Sequence, residues 1–343
     1  MSRYRAYIVG AIGGVLAAAI VPLTGLVDFD ASRGQWGVTD WYFGVAARQS
    51  VSLRSALIEM PAPGDAAAIA RGAGHYQMVC ATCHGSPAAA PEQFAEDLVP
   101  PPPRLMEQTA NWRPDARVFW TVKHGIKRSA MPAWPSQLRD DEVWDMVAFL
   151  GEMADMTPAT YGALAGTGAS GLCAGCHGET GAGTAAAPRL DIQSPAYLFA
   201  ALTAFRQGTR ASGTMMAAAR SLTDEQIEAL AAVFGRDVAG EAAGGSALGA
   251  RIAAEGLPDR DIAACDSCHG AARPEFPRLA GQNRDYLVTQ LALFDAHGSA
   301  RGGHLAELMT QALRKLPQME DGPLSGAEIE ALADHYGRAD GNR

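Results

Sequence analysis

Cys80-Ala81-Thr82-Cys83-His84 recurs as Cys173-Ala174-Gly175-Cys176-His177 and again as Cys265-Asp266-Ser267-Cys268-His269, and these three stretches use all six cysteines of the chain. C-x-x-C-H is the attachment signature of c-type haem. Cysteines at i and i+3 lie on one face of a helical turn, so both thiols reach one edge of a porphyrin. The histidine that follows then sits beneath the iron as its proximal ligand. A zinc site needs four ligands, whereas each motif offers three at most. A thioredoxin-like C-x-x-C needs a βαβ setting, and none is visible. The motifs begin 93 and then 92 residues apart, which implies three units, each with one covalent haem c.

Composition agrees with that reading. The chain has 343 residues, 48 % of them hydrophobic but only 7 % aromatic, and a formal charge of −9. A unit of that size with so few aromatics has a thin core, and a covalently held haem would supply the missing apolar mass. The acidic balance argues against nucleic acid, which calls for a basic face. No small-molecule substrate is expected.

Arg3 and Arg5 precede 22 uncharged residues, Ala6 to Val27, and Asp28 and Asp30 follow. Such a run spans a bilayer as a helix, and the flanking arginines place its start in the cytoplasm. The rival reading is a cleaved signal peptide, whose apolar core is shorter and ends in a small-x-small site. The expectation is a retained anchor, residues 1–30, in a bacterial cytoplasmic membrane with the haem units in the periplasm. Residues 31–62 form a partly helical connector, with helical potential from Val45 to Ile58. Trp36, Trp41, Tyr42 and Phe43 suit a membrane–water interface or pack on the first haem unit or on a partner subunit.

Aligned on their motifs, the units share more. A Pro-Arg-Leu follows each: Pro103-Arg104-Leu105, Pro188-Arg189-Leu190 and Pro277-Arg278-Leu279. A methionine comes next with a leucine seven residues later: Met131/Leu138, Met215/Leu222 and Met309/Leu316. Each unit closes with an amphipathic helical pattern, and Thr223…Gln226 and Ser325…Glu328 read as capping boxes. Tyr197, Leu202 and Phe205 match Tyr286, Leu291 and Phe294 in spacing, so the second and third units are the closer pair. No period-two alternation is sustained, so the plan is all-α. The units are 63–156, 157–240 and 241–343, separated by small, flexible residues at Thr157–Ser170 and Ala239–Ser246.

These residues resemble the class I cytochromes c, and the later two units resemble tandem dihaem cytochromes c. The resemblance implies three tandem cytochrome c domains after a transmembrane helix. It implies His84, His177 and His269 as proximal ligands and Met131, Met215 and Met309 as distal ligands, with thioethers at Cys80, Cys83, Cys173, Cys176, Cys265 and Cys268. Met216 and Met319 remain alternatives in the second and third units. The carbonyls of Pro103, Pro188 and Pro277 are expected to accept the proximal histidine N–H. Arg104, Arg189 and Arg278 are candidates for pairing with haem propionates, or are ordinary solvated arginines. Of the spare histidines, His75, His124, His297, His304 and His335, only His124 is a candidate to approach a propionate.

Histidine–methionine ligation fills both axial positions and raises the potential, which favours electron transfer over catalysis. The expected role is a membrane-tethered relay in a periplasmic respiratory chain. It would run from a quinol-oxidising cytochrome bc complex or a dehydrogenase to a terminal haem–copper oxidase. The alternatives are a cytochrome subunit of a periplasmic dehydrogenase and a multihaem peroxidase. Lys123, Lys127, Arg128 and Arg139 bracket Met131 and either steer an acidic partner or form a mixed solvated face.

Overall fold

The computed structural model describes residues 2–25, 30, 36–108, 115–169, 171–236, 241–270, 273–313 and 323–338. Every regular element among them is helical, and backbone pairing outside helices is limited to isolated bridges. The all-α plan is therefore the observed one.

The apolar N-terminus forms the helix Ser2–Ile20, continued by the turn Val21–Thr24. Tyr4–Thr24, with mean hydropathy 2.1, is long and apolar enough to cross a membrane, and it buries nothing against the rest of the chain. The connector helix runs Gly37–Ser55, starting earlier than its apolar pattern suggests. It carries Trp41 and Tyr42 exposed, whereas Phe43 lies under the Arg128 guanidinium, 4.5 Å from its ring centre. One of the four aromatics thus packs on the first unit.

In the first unit Asp65 caps the helix Ala66–His75 by accepting from the Ala68 N–H at 2.8 Å. A wide turn, Tyr76–Cys80, passes into the attachment turn Ala81–His84. The closing helix Asp140–Glu152 crosses Ala66–His75 over a core of Tyr76, Val143, Met146 and Phe149. The crossing is close because Gly72 lacks a side chain: a methyl there would lie 2.4 Å from the Asp145 carbonyl oxygen. Two bonds from Arg71 to the Asp145 carboxylate, at 2.7 and 2.9 Å, clamp the crossing. The third unit repeats the device. Its helix Ala247–Glu255 crosses the closing helix Gly326–Tyr336, and a methyl on Gly249 would lie 2.0 Å from the Ala331 oxygen. Both expected capping boxes form, at Thr223/Gln226 and Ser325/Glu328.

The second unit is built differently. Residues expected to separate it from the first form the helix Pro158–Ala165, capped by Thr157. Tyr161 and Ala165 are buried in the core of the first unit, and the Tyr161 hydroxyl donates to Gln77 Oε1 at 2.7 Å. Glycine and alanine made this stretch read as a linker, but one buried tyrosine decides its place, since tertiary packing outweighs propensity. The attachment turn Leu172–His177 stands alone, and the helices Pro195–Arg206, Gly213–Ala219 and Asp224–Phe234 complete the unit.

Two polar junctions join the units. Between the second and third, glutamines exchange. Gln193 donates to the Arg278 carbonyl and accepts from its N–H, both at 2.9 Å. Gln282 does the same to Arg189, at 2.9 and 2.7 Å. The loops before the two methionine helices also pair, through Arg210 and Gly302. Between the first and second units, His75, stacked within the first unit on Trp134 with ring centres 4.2 Å apart, brings its Nδ1 to 3.0 Å from Thr214 Oγ1.

Gly249→Ala should destabilise the third unit by about 1–3 kcal/mol, the range for overpacking a close contact, as read by thermal unfolding. The buried His75 gives a pH signature. Burial pushes its pKa from 6.5 down to about 4. The unfolded chain therefore takes up this proton first, so stability is full above pH 6.5 and falls as the pH drops toward 4. The loss attributable to His75 should reach roughly 3 kcal/mol at most. A His75→Gln variant should unfold with a shallower acid dependence over that window.

Candidate haem-attachment sites

Each attachment turn ends in a histidine whose Nδ1 faces a proline carbonyl: His84 to Pro103 at 2.9 Å, His177 to Pro188 at 2.8 Å and His269 to Pro277 at 2.7 Å. A carbonyl only accepts, so the proton sits on Nδ1 and the Nε2 lone pair is left for a metal. Burial lowers the pKa of His177 and of His269, partly offset by their proline carbonyls and, at His269, by Asp266, so burial favours the neutral imidazole. Four of the cysteines are not activated as nucleophiles. Burial raises Cys80 to about 12 and Cys265 to about 11, and it also raises Cys173 and Cys176. Thiols pushed up in this way stay protonated.

Two of the sites open into cavities. In the third unit a cavity of about 150 Å³ is lined by Cys265, Cys268, His269, Met309, Phe294 and Tyr336. In the second, a cavity of about 490 Å³ is lined by Cys173, Cys176, His177 and Met215, with His75 of the first unit and Tyr286 of the third on its walls. Met215 lines this cavity and Met216 does not. Met319 and Leu316 lie outside the described residues. Met131 is half-buried in its loop, held by Met131 N–H to Ser129 Oγ at 3.2 Å and Ile126 N–H to the Met131 carbonyl at 3.2 Å.

The arginines expected at propionates are engaged within the protein. Arg104 pairs with Glu96 and, at 3.7 Å, with Glu107. Arg189 makes two bonds to Asp191, at 2.9 and 2.8 Å. Arg278 is buried, with its backbone on Gln193. Two other arginines occupy the cavities. Arg210 lines both and Arg301 lines the third unit's. Each packs over the matching phenylalanine of its own unit, Arg210 on Phe205 at 4.5 Å and Arg301 on Phe294 at 4.7 Å. Arg210 donates to the hydroxyls of Tyr197 and Tyr286 at 3.1 and 2.9 Å, and Arg301 to the Gly302 carbonyl and Gln290. Among the described residues neither forms a salt bridge, and the buried Nε of Arg301 has no partner. Burial and the charge of Arg210 push Arg301 down to about 9. Buried cations without a carboxylate are costly, and the two propionates of a haem are the anions such a pair fits. Paired thiols, a neutral imidazole, a thioether and these cations together form a donor set that suits haem c.

The remaining expectations resolve simply. His124 is exposed and packs on Trp120, 4.0 Å between ring centres. His304 meets the Glu275 carbonyl at 3.1 Å, and His335 packs on Tyr336. The basic patch around Met131 is largely consumed. Arg139 is 8 % exposed and bound to Asp141 and Glu142, Lys123 pairs with Asp140, and Arg128 covers Phe43. Missed in the sequence were Arg210, Arg301 and the clamping glutamines. A signal for the glutamines was present, since Pro-Arg-Leu-x-x-Gln occurs in all three units, ending at Gln108, Gln193 and Gln282.

Comparison with known proteins agrees with this geometry. A family model described as cytochrome c oxidase, cbb3-type, subunit III matches residues 67–150 and 167–232. A thiosulfate dehydrogenase electron acceptor of Stutzerimonas stutzeri is 36 % identical over 176 residues, 48 % of this chain and 77 % of that protein. Another from Thiomonas intermedia is 33 % identical, covering 49 % of this chain and 82 % of that one. A cytochrome c4 of Thiocapsa roseopersicina is 32 % identical, covering 44 % and 83 %. With its attachment motifs, its all-helical units and these relatives, the chain belongs to the class I c-type cytochromes, electron-transfer proteins that hold haem c covalently.

Proposed function

We propose that this protein is a membrane-tethered trihaem relay that carries electrons from a periplasmic dehydrogenase toward a membrane haem–copper oxidase. The observation that carries the reading is the threefold His–proline carbonyl bond in units joined by buried polar junctions. When bound, the haem groups supply one-electron iron couples. The chain's own part is to hold and insulate them. Cys80 and Cys83, Cys173 and Cys176, and Cys265 and Cys268 supply the thioether sulfurs. His84, His177 and His269 are the proximal ligands and Met131, Met215 and Met309 the distal ones. Pro103, Pro188 and Pro277 orient the imidazoles, and Arg210 and Arg301 offer charge to propionates. Junction contacts remove water between neighbouring units and keep their spacing fixed. The helix Ser2–Ile20 serves as the anchor, which raises the effective concentration of membrane partners without a tight docking surface.

The donor class is drawn from the relatives. Two are named as electron acceptors of thiosulfate dehydrogenase, and a third as the cytochrome subunit of a sulfide dehydrogenase. A dehydrogenase of reduced sulfur compounds is therefore the preferred donor, and a permanent subunit role in such a complex is the second reading. Co-purification from membranes in mild detergent separates the two: a stoichiometric dehydrogenase favours the subunit, and a free trihaem protein favours the relay.

The denatured protein should carry three haem groups per chain that resist acid–acetone extraction. Met131→Ala, Met215→Ala and Met309→Ala should each remove one third of the near-infrared methionine-to-ferric-iron absorbance. A haem ratio of two, or full absorbance in any of these variants, would correct the ligand set. Ascorbate-reduced protein should be oxidised by membranes containing a haem–copper oxidase in a cyanide-sensitive way. A form beginning at Asp65 should be oxidised more slowly at equal concentration, and equal rates would remove the tether from the proposal.

A further inference from the structure

The three residues that lead into Met215 are all held by the first unit. Glu142, on that unit's closing helix, accepts from Ser212 Oγ through Oε1 at 2.6 Å and from the Gly213 N–H through Oε2 at 2.6 Å. The ring of His75 lies 3.0 Å from Thr214 Oγ1. Gly213 is pressed against Trp134 so closely that a methyl there would lie 2.1 Å from the indole nitrogen. Within the second unit, Ser212 Oγ caps the helix Gly213–Ala219 by accepting from the Met215 N–H at 3.1 Å. An unbroken chain of hydrogen bonds thus runs from Glu142 through Ser212 to the backbone of Met215. Glu142 is itself fixed, by Arg139 at 2.8 Å and by Trp134 Nε1 at 3.2 Å, and is 8 % exposed. The attachment side is touched as well, since a methyl on Gly74 of the first unit would lie 3.1 Å from Cys176 Sγ.

We propose that Glu142 is a positioning residue for Met215, so that the first unit sets the axial ligation of the second. The inference rests on Met215 being the distal ligand of the second unit. The physical case has three parts. A helix of seven residues is too short to hold itself in place, so outside contacts decide where its first turn lies. Hydrogen bonds to a carboxylate are short and about twice as strong as neutral ones, and here two of them converge on consecutive residues. Methionine has three rotatable bonds, so a turn released from Glu142 lets the thioether leave the site at little cost. Loss or lengthening of an axial methionine bond lowers the potential of a c-type haem. The first two units then act as one redox body, in which a disturbance of the closing helix Asp140–Glu152 is felt at the second unit's iron site.

The test uses the full-length, haem-loaded protein. Met215→Ala first identifies the second unit's component in a potentiometric titration and its third of the near-infrared absorbance. Glu142→Gln should keep three haem groups per chain, weaken that same share of the absorbance and move that same component to lower potential, leaving the other two in place. Ser212→Ala, which alters no residue of the first unit, should move the same component in the same direction. Should Glu142→Gln fail to accumulate as a haem protein, Ser212→Ala decides alone. Unchanged absorbance and potentials in Ser212→Ala, with the Met215→Ala share missing, would overturn the positioning role. A shift in Glu142→Gln confined to another component would do the same. Full absorbance in Met215→Ala would overturn the ligand assignment first, and the positioning role with it.

Discussion

A histidine that is to bind iron must be neutral, correctly tautomerised and held in one orientation, and in this chain a single contact does the last two. Each attachment turn delivers its imidazole to a proline carbonyl that can only accept, so the proton is fixed on Nδ1 and the ring plane is set. Proline suits the task because it contributes a carbonyl without a competing N–H. The rest of each unit keeps those two groups together. Helix crossings stiffen the attachment turns in the first and third units, and glycines at the crossing points let the backbones approach. In the second unit no such crossing helix is spent on its own attachment turn, because Pro158–Ala165 is packed into the first unit's core. Support comes from the neighbours instead.

The two junctions solve that problem in different ways. Between the second and third units the contact is reciprocal. Each glutamine satisfies the N–H and the carbonyl of the other unit's Pro-Arg-Leu arginine, and the pairing of Arg210 with Gly302 continues the symmetry. These are neutral, fully paired hydrogen bonds in a buried setting, where an unmade bond costs more than a made one contributes. The contact therefore fixes geometry more than it adds stability. Between the first and second units the contact is one-sided, with a charged group of the first unit accepting from neutral donors of the second. A buried carboxylate compensated by Arg139 grips a turn of backbone. Removing one partner of such a pair is expensive, while the intact pair contributes little net stability. Its value is specificity of position, held on the turn that leads into Met215.

The attachment motifs, the Pro-Arg-Leu stretches and the all-helical class were legible because each depends on a short local pattern that every unit repeats. C-x-x-C-H needs only one helical turn, and a capping box only four residues, so Thr223 and Ser325 could be read without knowing their surroundings. Repetition also drew attention to three arginines. Arg104, Arg189 and Arg278 stood out by repetition, yet Arg104 and Arg189 have carboxylates close by in the chain, at Glu96 and Asp191. Arg210 lies 5 residues after Phe205 and Arg301 lies 7 after Phe294, so the spacing that matches those phenylalanines does not pair the two arginines. They are equivalent only in space, each over its own phenylalanine.

By itself the sequence determined the cofactor chemistry, the number of attachment motifs and the helical character, because these follow from residue type and short-range spacing. Only the tertiary structure decided that Tyr161 belongs to the first unit's core, that Glu142 holds the turn before Met215, and that Arg210 and Arg301 line the cavities without a salt bridge among the described residues. Those outcomes depend on which surfaces exclude water from one another. Contacts such as Glu142 with Gly213, 71 residues apart in the chain, are set by packing between units and leave no periodic trace in either one.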